Sequence, residues 1–236
     1  MPDTSYPAGE GRQLRAYLAQ PRGQGPWPGV VVIMDALGLS DDIRLQADRL
    51  AAAGYLAFAP DLYSGRGIRC VVATLAASRS GSGEAFTHIE AARRWLDDRD
   101  DCTGRIGIIG FCMGGGFALL SAPRYDFGAA SVNYGEVPKD ASRLAGCCPV
   151  VASFGKRDPE LPGRAQRLER ALSELGVEHD IKEYPGVGHA FMNRINVGPL
   201  LNPLMRFVRM HYDHPSAEDS WRRILAFFDA HLSGPG

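Results

Sequence analysis

The run Gly29-Val-Val-Val-Ile-Met34 constrains the fold of this chain more than any other segment. A strand with one solvated face alternates apolar and polar residues, whereas this one is β-branched and apolar without interruption. It therefore reads as a strand buried on both faces of a parallel sheet. Parallel neighbours need crossover connections, and the residues that follow supply them. From Ser40 to Ala53, apolar Ile43, Leu45, Ala47, Leu50 and Ala51 follow an Asp-rich start, and Gly54 closes the stretch, which predicts a helix. Further strands are expected at Tyr55 to Pro60, Ile106 to Gly110, Ala129 to Tyr134, Val150 to Phe154 and Ile181 to Tyr184, after a short extended piece at Leu14 to Leu18. Helices are expected at Glu84 to Leu96, Gly163 to Leu175 and Ala217 to Leu232. Strands alternating with helices give a right-handed, mostly parallel sheet with helices on both faces. The least regular stretches, Ser64 to Gly83 and Asn193 to Pro215, are the loops expected to border a binding site.

One domain spanning residues 1–236 is expected, since 45% apolar and 22% charged residues are ample for a layered core. A formal charge of -1 lacks the footprint of a nucleic-acid binder and favours a small-molecule substrate. The start Met-Pro-Asp-Thr-Ser-Tyr-Pro carries no signal-peptide pattern and no apolar run has membrane-span length, so a cytoplasmic protein without a membrane partner is expected. Whether it is a monomer or a dimer stays open. Five cysteines, Cys70, Cys102, Cys112, Cys147 and Cys148, form an odd set without a Cys-x-x-Cys pair, which speaks against a disulfide framework or a zinc cluster. His211 and His214 are spaced for one helical face, but no acidic or thiol residue completes a metal site, and no metal or cofactor is expected.

The chemistry concentrates in Gly110-Phe111-Cys112-Met113-Gly114-Gly115-Gly116, between an apolar strand and the helix-compatible Phe117-Ala-Leu-Leu120. This is the setting of a nucleophile elbow, in which a tight strand-to-helix turn strains the central residue and requires neighbours without Cβ atoms two positions away. Gly110 and Gly114 stand there. A cysteine so placed lies at a helix N-terminus, where backbone amides and the dipole favour a thiolate. The Met113 amide would offer one donor to an oxyanion, and the loop Met34-Asp35-Ala36-Leu37-Gly38 a second through Ala36. Two other readings compete. Cys112 could be a small buried hydrophobe beside packing glycines, or the glycines could form a dinucleotide loop, which wants a first-strand position and a later acidic residue that Asn133-Tyr134-Gly135 does not supply.

A thiolate nucleophile needs a base, and the base an orienting acid. His189 lies in Tyr184-Pro-Gly-Val-Gly-His-Ala-Phe191, directly after the last expected strand, while the other histidines fall in helices, before a strand or in a turn. Asp158 follows the preceding strand in Gly155-Lys-Arg-Asp-Pro159. An Asp before Pro is also a common turn former. The order nucleophile, acid, histidine, each at a strand's carboxyl end, fits one catalytic triad.

Together, Gly-Phe-Cys-Met-Gly-Gly, Pro60-Asp61-Leu62-Tyr63, Asn133-Tyr134-Gly135, the Gly155 to Asp158 turn and Gly188-His189-Ala190-Phe191 resemble the dienelactone hydrolase family over nearly the whole chain. The resemblance implies an α/β-hydrolase fold, a triad of Cys112, Asp158 and His189, and hydrolysis of an ester or lactone through an acyl-cysteine. It also implies a carboxylate after the first central strand that interacts with the nucleophile, here Asp35, and arginines for a substrate carboxylate. At the place of one of those arginines the chain has Asn193, with Arg194 adjacent; the second could be Arg66, Arg69 or Arg79. Tyr134 and Phe191, beside strand ends, are expected to line the pocket, and Trp95 to belong to the core. The alternatives are a general small-ester carboxylesterase or thioesterase, and a non-catalytic binding module.

Overall fold

The computed structural model describes residues 3–9, 11–63, 68–159, 162–194 and 210–234. Its backbone is an eight-stranded sheet ordered β1-β2-β4-β3-β5-β6-β7-β8. The strands are β1 (Asp3–Pro7), β2 (Gln13–Ala19), β3 (Trp27–Ile33), β4 (Leu56–Pro60), β5 (Cys102–Phe111), β6 (Ala129–Asn133), β7 (Val150–Gly155) and β8 (His179–Tyr184). From β4 through β8 every pairing is parallel; β1 and β2 add an antiparallel ribbon at one edge. Val30 to Met34 have no solvent exposure, as their unbroken apolar run requires.

Among the described residues the helices are α1 (Asp41–Ala52), α2 (Ile68–Ser80), α3 (Glu84–Asp97), α4 (Met113–Ser121), α5 (Arg164–Glu174) and α6 (His214–Leu232). Ser40 caps α1 and Asp213 caps α6, each accepting a bond from the amide three residues on. They cover both faces. A Cβ on Gly107 would meet Leu232 of α6, whereas one on Gly110, of opposite parity on β5, would meet the backbone of α4. Helices α2, α3 and α4 pack together on the α4 face. On the other, Arg49 of α1 stacks on Trp221 of α6 and grips Glu218 with two bonds of 2.7 and 2.6 Å.

Two expectations need correction. The stretch Ser64 to Gly83, read as irregular, contains α2, and the chain begins with β1, which had no counterpart in the expected strands. Trp95 stacks on Phe58 with ring centroids 4.3 Å apart and packs against the core.

Candidate active site

Cys112 stands between β5 and α4 with φ 55° and ψ -117°, a region a non-glycine residue enters only when its surroundings force it. The forcing contacts are visible. A Cβ on Gly110 would lie 1.9 Å from the Gly114 carbonyl oxygen, and one on Gly114 would lie 2.4 Å from the Ile33 oxygen. The elbow closes because neither atom exists. The half-buried sulfur is thereby held above the sheet's carboxyl edge, at the first turn of α4, where backbone amides lack intrahelical acceptors.

The segments carrying Asp158 and His189 meet by the same device. A Cβ on Gly155 would come within 2.3 Å of the Gly188 oxygen, so only glycine lets the turn after β7 pass the loop after β8. Backbone bonds from Lys156 to Tyr184 (2.9 Å) and from Arg157 to Val187 (3.0 Å) fix that crossing. His189 Nδ1 then stands 2.6 Å from Asp158 Oδ2, both side chains being 2% exposed. The next residue, Ala190, has φ 58°, a second local strain that turns the loop at the imidazole. Burial disfavours a charged His189 ring, but hydrogen bonding and charge from Asp158 and Cys112 outweigh it and push the pKa up to about 10. The ring's Nε2 is sealed from solvent, and with Nδ1 on Asp158 it is the nitrogen left to face Cys112.

Asp35, 5% exposed, follows β3 and accepts a 2.8 Å bond from the Leu37 amide. Burial raises its pKa from 3.8 to about 6; the Leu37 bond opposes the shift, nearby Asp42 adds to it and His189 opposes it. Ala36 and Met113, the two expected oxyanion donors, both approach the Tyr63 hydroxyl, which lies 2.9 Å from the Ala36 oxygen and 4.0 Å from Met113 Sδ.

The residues expected to touch substrate fare differently. Tyr134 and Phe191 have no solvent exposure; they pack edge-on with centroids 5.5 Å apart, and Tyr134 packs likewise against His189 at 5.3 Å. Tyr134 supports the imidazole, Phe191 packs on Tyr134, and neither presents surface to solvent. The Tyr134 hydroxyl donates to Asn193 Oδ1, and Asn193 Nδ2 donates to Asp42 Oδ2 at 2.5 Å, so both polar ends of Asn193 are spent inside the protein. Arg194 gives its amide to Asp42 Oδ1 at 2.9 Å and lays its guanidinium over Tyr212, 4.7 Å from the ring centroid. It borders a crevice of about 220 Å³ shared with Leu45, Arg49 and Trp221, in which Cys112, Asp158 and His189 have no part. Arg66 lies outside the described residues, as do the side chains of Arg69 and Arg79. Sequence reasoning gave no role to Tyr63 or Asp42; only the Pro-Asp-Leu-Tyr landmark drew attention to the first.

A cysteine at a strained strand-to-helix turn, facing a buried His–Asp pair at the carboxyl edge of a mostly parallel sheet, belongs to an α/β-hydrolase. Sequence and structural comparison narrows the class. The sequence profile of the dienelactone hydrolase family matches residues 14–232, and the chain belongs to that family, which makes it a carboxylic ester hydrolase. A provisionally named carboxymethylenebutenolidase of Yersinia pestis is 29% identical over 97% of this chain and 88% of its own. The crystal structure of a provisionally assigned dienelactone hydrolase from Klebsiella pneumoniae superposes with a TM-score of 0.79 at 27% identity, covering 96% of this chain and 97% of the other. A dienelactone hydrolase-like promiscuous phosphotriesterase from metagenomic libraries shares the fold, with a TM-score of 0.79 at 22% identity over 98% of both chains. Among the described residues no group of three or more His, Cys, Asp or Glu could hold a metal ion, and no helix is long and apolar enough to cross a membrane.

Proposed function

We propose that the protein hydrolyses an ester or lactone of a small carboxylic acid, with Cys112 as nucleophile, His189 as base and Asp158 as the acid that orients it. The observation that carries this reading is the buried 2.6 Å His189–Asp158 pair, whose imidazole is electrostatically coupled to a cysteine at φ 55°. A His189 with a pKa of about 10 carries its proton at neutral pH, so in the resting pair the proton already sits on the ring rather than on sulfur. Sulfur then adds to the substrate carbonyl. The resulting oxyanion is stabilised by the amides of Ala36 and Met113. Collapse of the tetrahedral adduct breaks the carbon–oxygen bond, and the departing alkoxide or enolate takes the proton from His189. Water, deprotonated by the same ring, then cleaves the acyl-cysteine and restores the thiol.

Within this chemistry a neutral small ester fits better than a carboxylate-bearing lactone. Asn193 spends its amide on Tyr134 and Asp42, and the Arg194 guanidinium lies on Tyr212. Both parts are testable on a panel of p-nitrophenyl esters and dienelactone. Cys112→Ala is expected to abolish turnover, by at least about 10³-fold, with an unchanged melting temperature; retained turnover sinks the nucleophile. Wild-type preference for dienelactone over the neutral esters sinks the substrate assignment alone.

A further inference from the structure

The turn that carries Ala36 is held by an outside side chain. The peptide unit joining Ala36 to Leu37 is bonded at both ends: its N–H donates to Asp35 Oδ1 at 2.8 Å, and its carbonyl accepts from the Tyr63 hydroxyl at 2.9 Å. The turn closes through the Gly38 amide on the Asp35 carbonyl at 3.1 Å. Gly38 has φ 89°, and a Cβ there would come within 3.2 Å of the Tyr63 ring, so the ring lies along that glycine. The same hydroxyl is 4.0 Å from Met113 Sδ, which places Tyr63 against both residues proposed above as oxyanion donors. Tyr63 is itself anchored. Its amide donates to Asp61 Oδ1 at 3.0 Å, and the buried Asp61 is held by Arg15 through a 2.7 Å side-chain bond and a 2.8 Å backbone bond.

A peptide fixed at both its N–H and its C=O cannot rotate about its flanking bonds; the Ala36 N–H belongs to the preceding peptide, whose Asp35 carbonyl accepts from Gly38, so the turn holds that amide in place only while the Ala36–Leu37 unit stays put. Freed at the carbonyl end, the unit can flip and turn an oxygen toward the space where negative charge develops. We propose that Tyr63 is a positioning residue for the oxyanion site: its hydroxyl ties back the Ala36 carbonyl so that the Ala36 and Met113 amides converge on the carbonyl oxygen of the substrate. This inference rests on the reading of Cys112 as nucleophile. The hydroxyl stays a donor across the working pH range, because burial first, then the charges of Asp35 and Cys112, push its pKa up to about 12. No other side-chain donor to the Ala36 carbonyl is present among the described residues.

Tyr63→Phe removes only the tie. The wild type, Tyr63→Phe and Cys112→Ala are compared in three readouts: p-nitrophenyl acetate hydrolysis, inhibition by an aryl trifluoromethyl ketone, and alkylation by iodoacetamide. The ketone takes sulfur at its carbonyl and leaves an oxyanion in the site, while alkylation displaces iodide and forms no oxyanion. For Tyr63→Phe, kcat is expected to fall about tenfold or more with KM within about threefold, and the ketone Ki to rise by the same factor. The iodoacetamide rate stays within about twofold, and the melting temperature is unchanged, since the side chain is only half-buried. Unchanged kcat and Ki overturn the proposal, as does a parallel fall in alkylation, which would place Tyr63 on the sulfur and not on the oxyanion. Turnover by Cys112→Ala overturns the underlying reading instead, so the two failures are distinguishable.

Discussion

The two walls of this site are fixed by different means. On the wall bearing sulfur and imidazole, the backbone decides: Gly110 and Gly114 let the elbow close, Gly155 lets the acid-bearing turn pass the histidine loop, and positive φ at Cys112 and Ala190 aims the two side chains. On the wall where substrate specificity was expected, side chains decide. Tyr134, Asn193 and Asp42 form a hydrogen-bonded chain beneath the imidazole, and Arg194 leans away onto Tyr212. Backbone constraints tolerate little variation, because a single methyl would collide with a carbonyl. Side-chain networks can be rebuilt one residue at a time, so the two walls differ in how freely they can change.

The sharpest way to break the first wall is Asp158→Asn. An asparagine keeps the size of the side chain but removes the hydrogen-bonded charge that raises the pKa of His189. By analogy with the triad of serine proteases, kcat is expected to fall by about 10³–10⁴ with little change in melting temperature. Steady-state kinetics on p-nitrophenyl acetate read it; a loss under tenfold would mean that the elbow and oxyanion donors carry the rate without an oriented base. The pH dependence of stability gives a second signature. A histidine raised from 6.5 to about 10 contributes stability that is full below pH 6.5 and lost as pH rises toward 10.

Much of the first wall was legible in the sequence, and the second was not, for a physical reason. Unbroken apolar runs mark strands buried on both faces, and Gly110 and Gly114 around Cys112, with Gly155 ahead of Asp158, mark close backbone approaches, each within a few residues of the side chain it serves. The antiparallel β1 escaped because only Tyr6 of its five residues is buried, leaving no apolar run to read. Helix α2 escaped because it lies in a stretch whose surrounding glycines and serines suggested a loop. The bond from Tyr134 to Asn193 spans 59 residues and that from Asn193 to Asp42 spans 151, separations at which no local pattern exists. Asp35 was legible as a carboxylate after the first central strand, but its raised pKa depends on burial and on Asp42, which only the fold brings near.

Asp35, whose charge is felt by both His189 and Asp42, yields the next effect in size. Its pKa lies above the usual carboxylate value, so the folded state holds a proton that the unfolded chain releases; stability is lost as pH rises from about 4 to 6 and does not return above it. Asp35→Asn keeps an oxygen for the Leu37 amide and removes that penalty. The variant is expected to be more stable than wild type at pH 8 by about 1–3 kcal/mol and no more stable at pH 4, read by urea denaturation at the two pH values. Equal stabilisation at both would assign the effect to packing rather than to charge.

The smallest effect tests the second wall. Arg194→Ala deletes a guanidinium lying on Tyr212, yet the backbone amide of residue 194 still reaches Asp42, so the loop after His189 keeps its tether. For p-nitrophenyl acetate, kcat/KM is expected to change by less than about twofold, and an exposed cation–π contact contributes only about 0.5–1 kcal/mol to stability. The informative arm is a paired substrate, the p-nitrophenyl monoester of succinate, which differs by a free carboxylate. If Arg194 keeps its place on Tyr212 during turnover, both esters respond alike. A drop beyond about tenfold confined to the succinate ester would mean that the guanidinium swings from Tyr212 to the substrate, and the side-chain wall would then be a mobile specificity element rather than a fixed support.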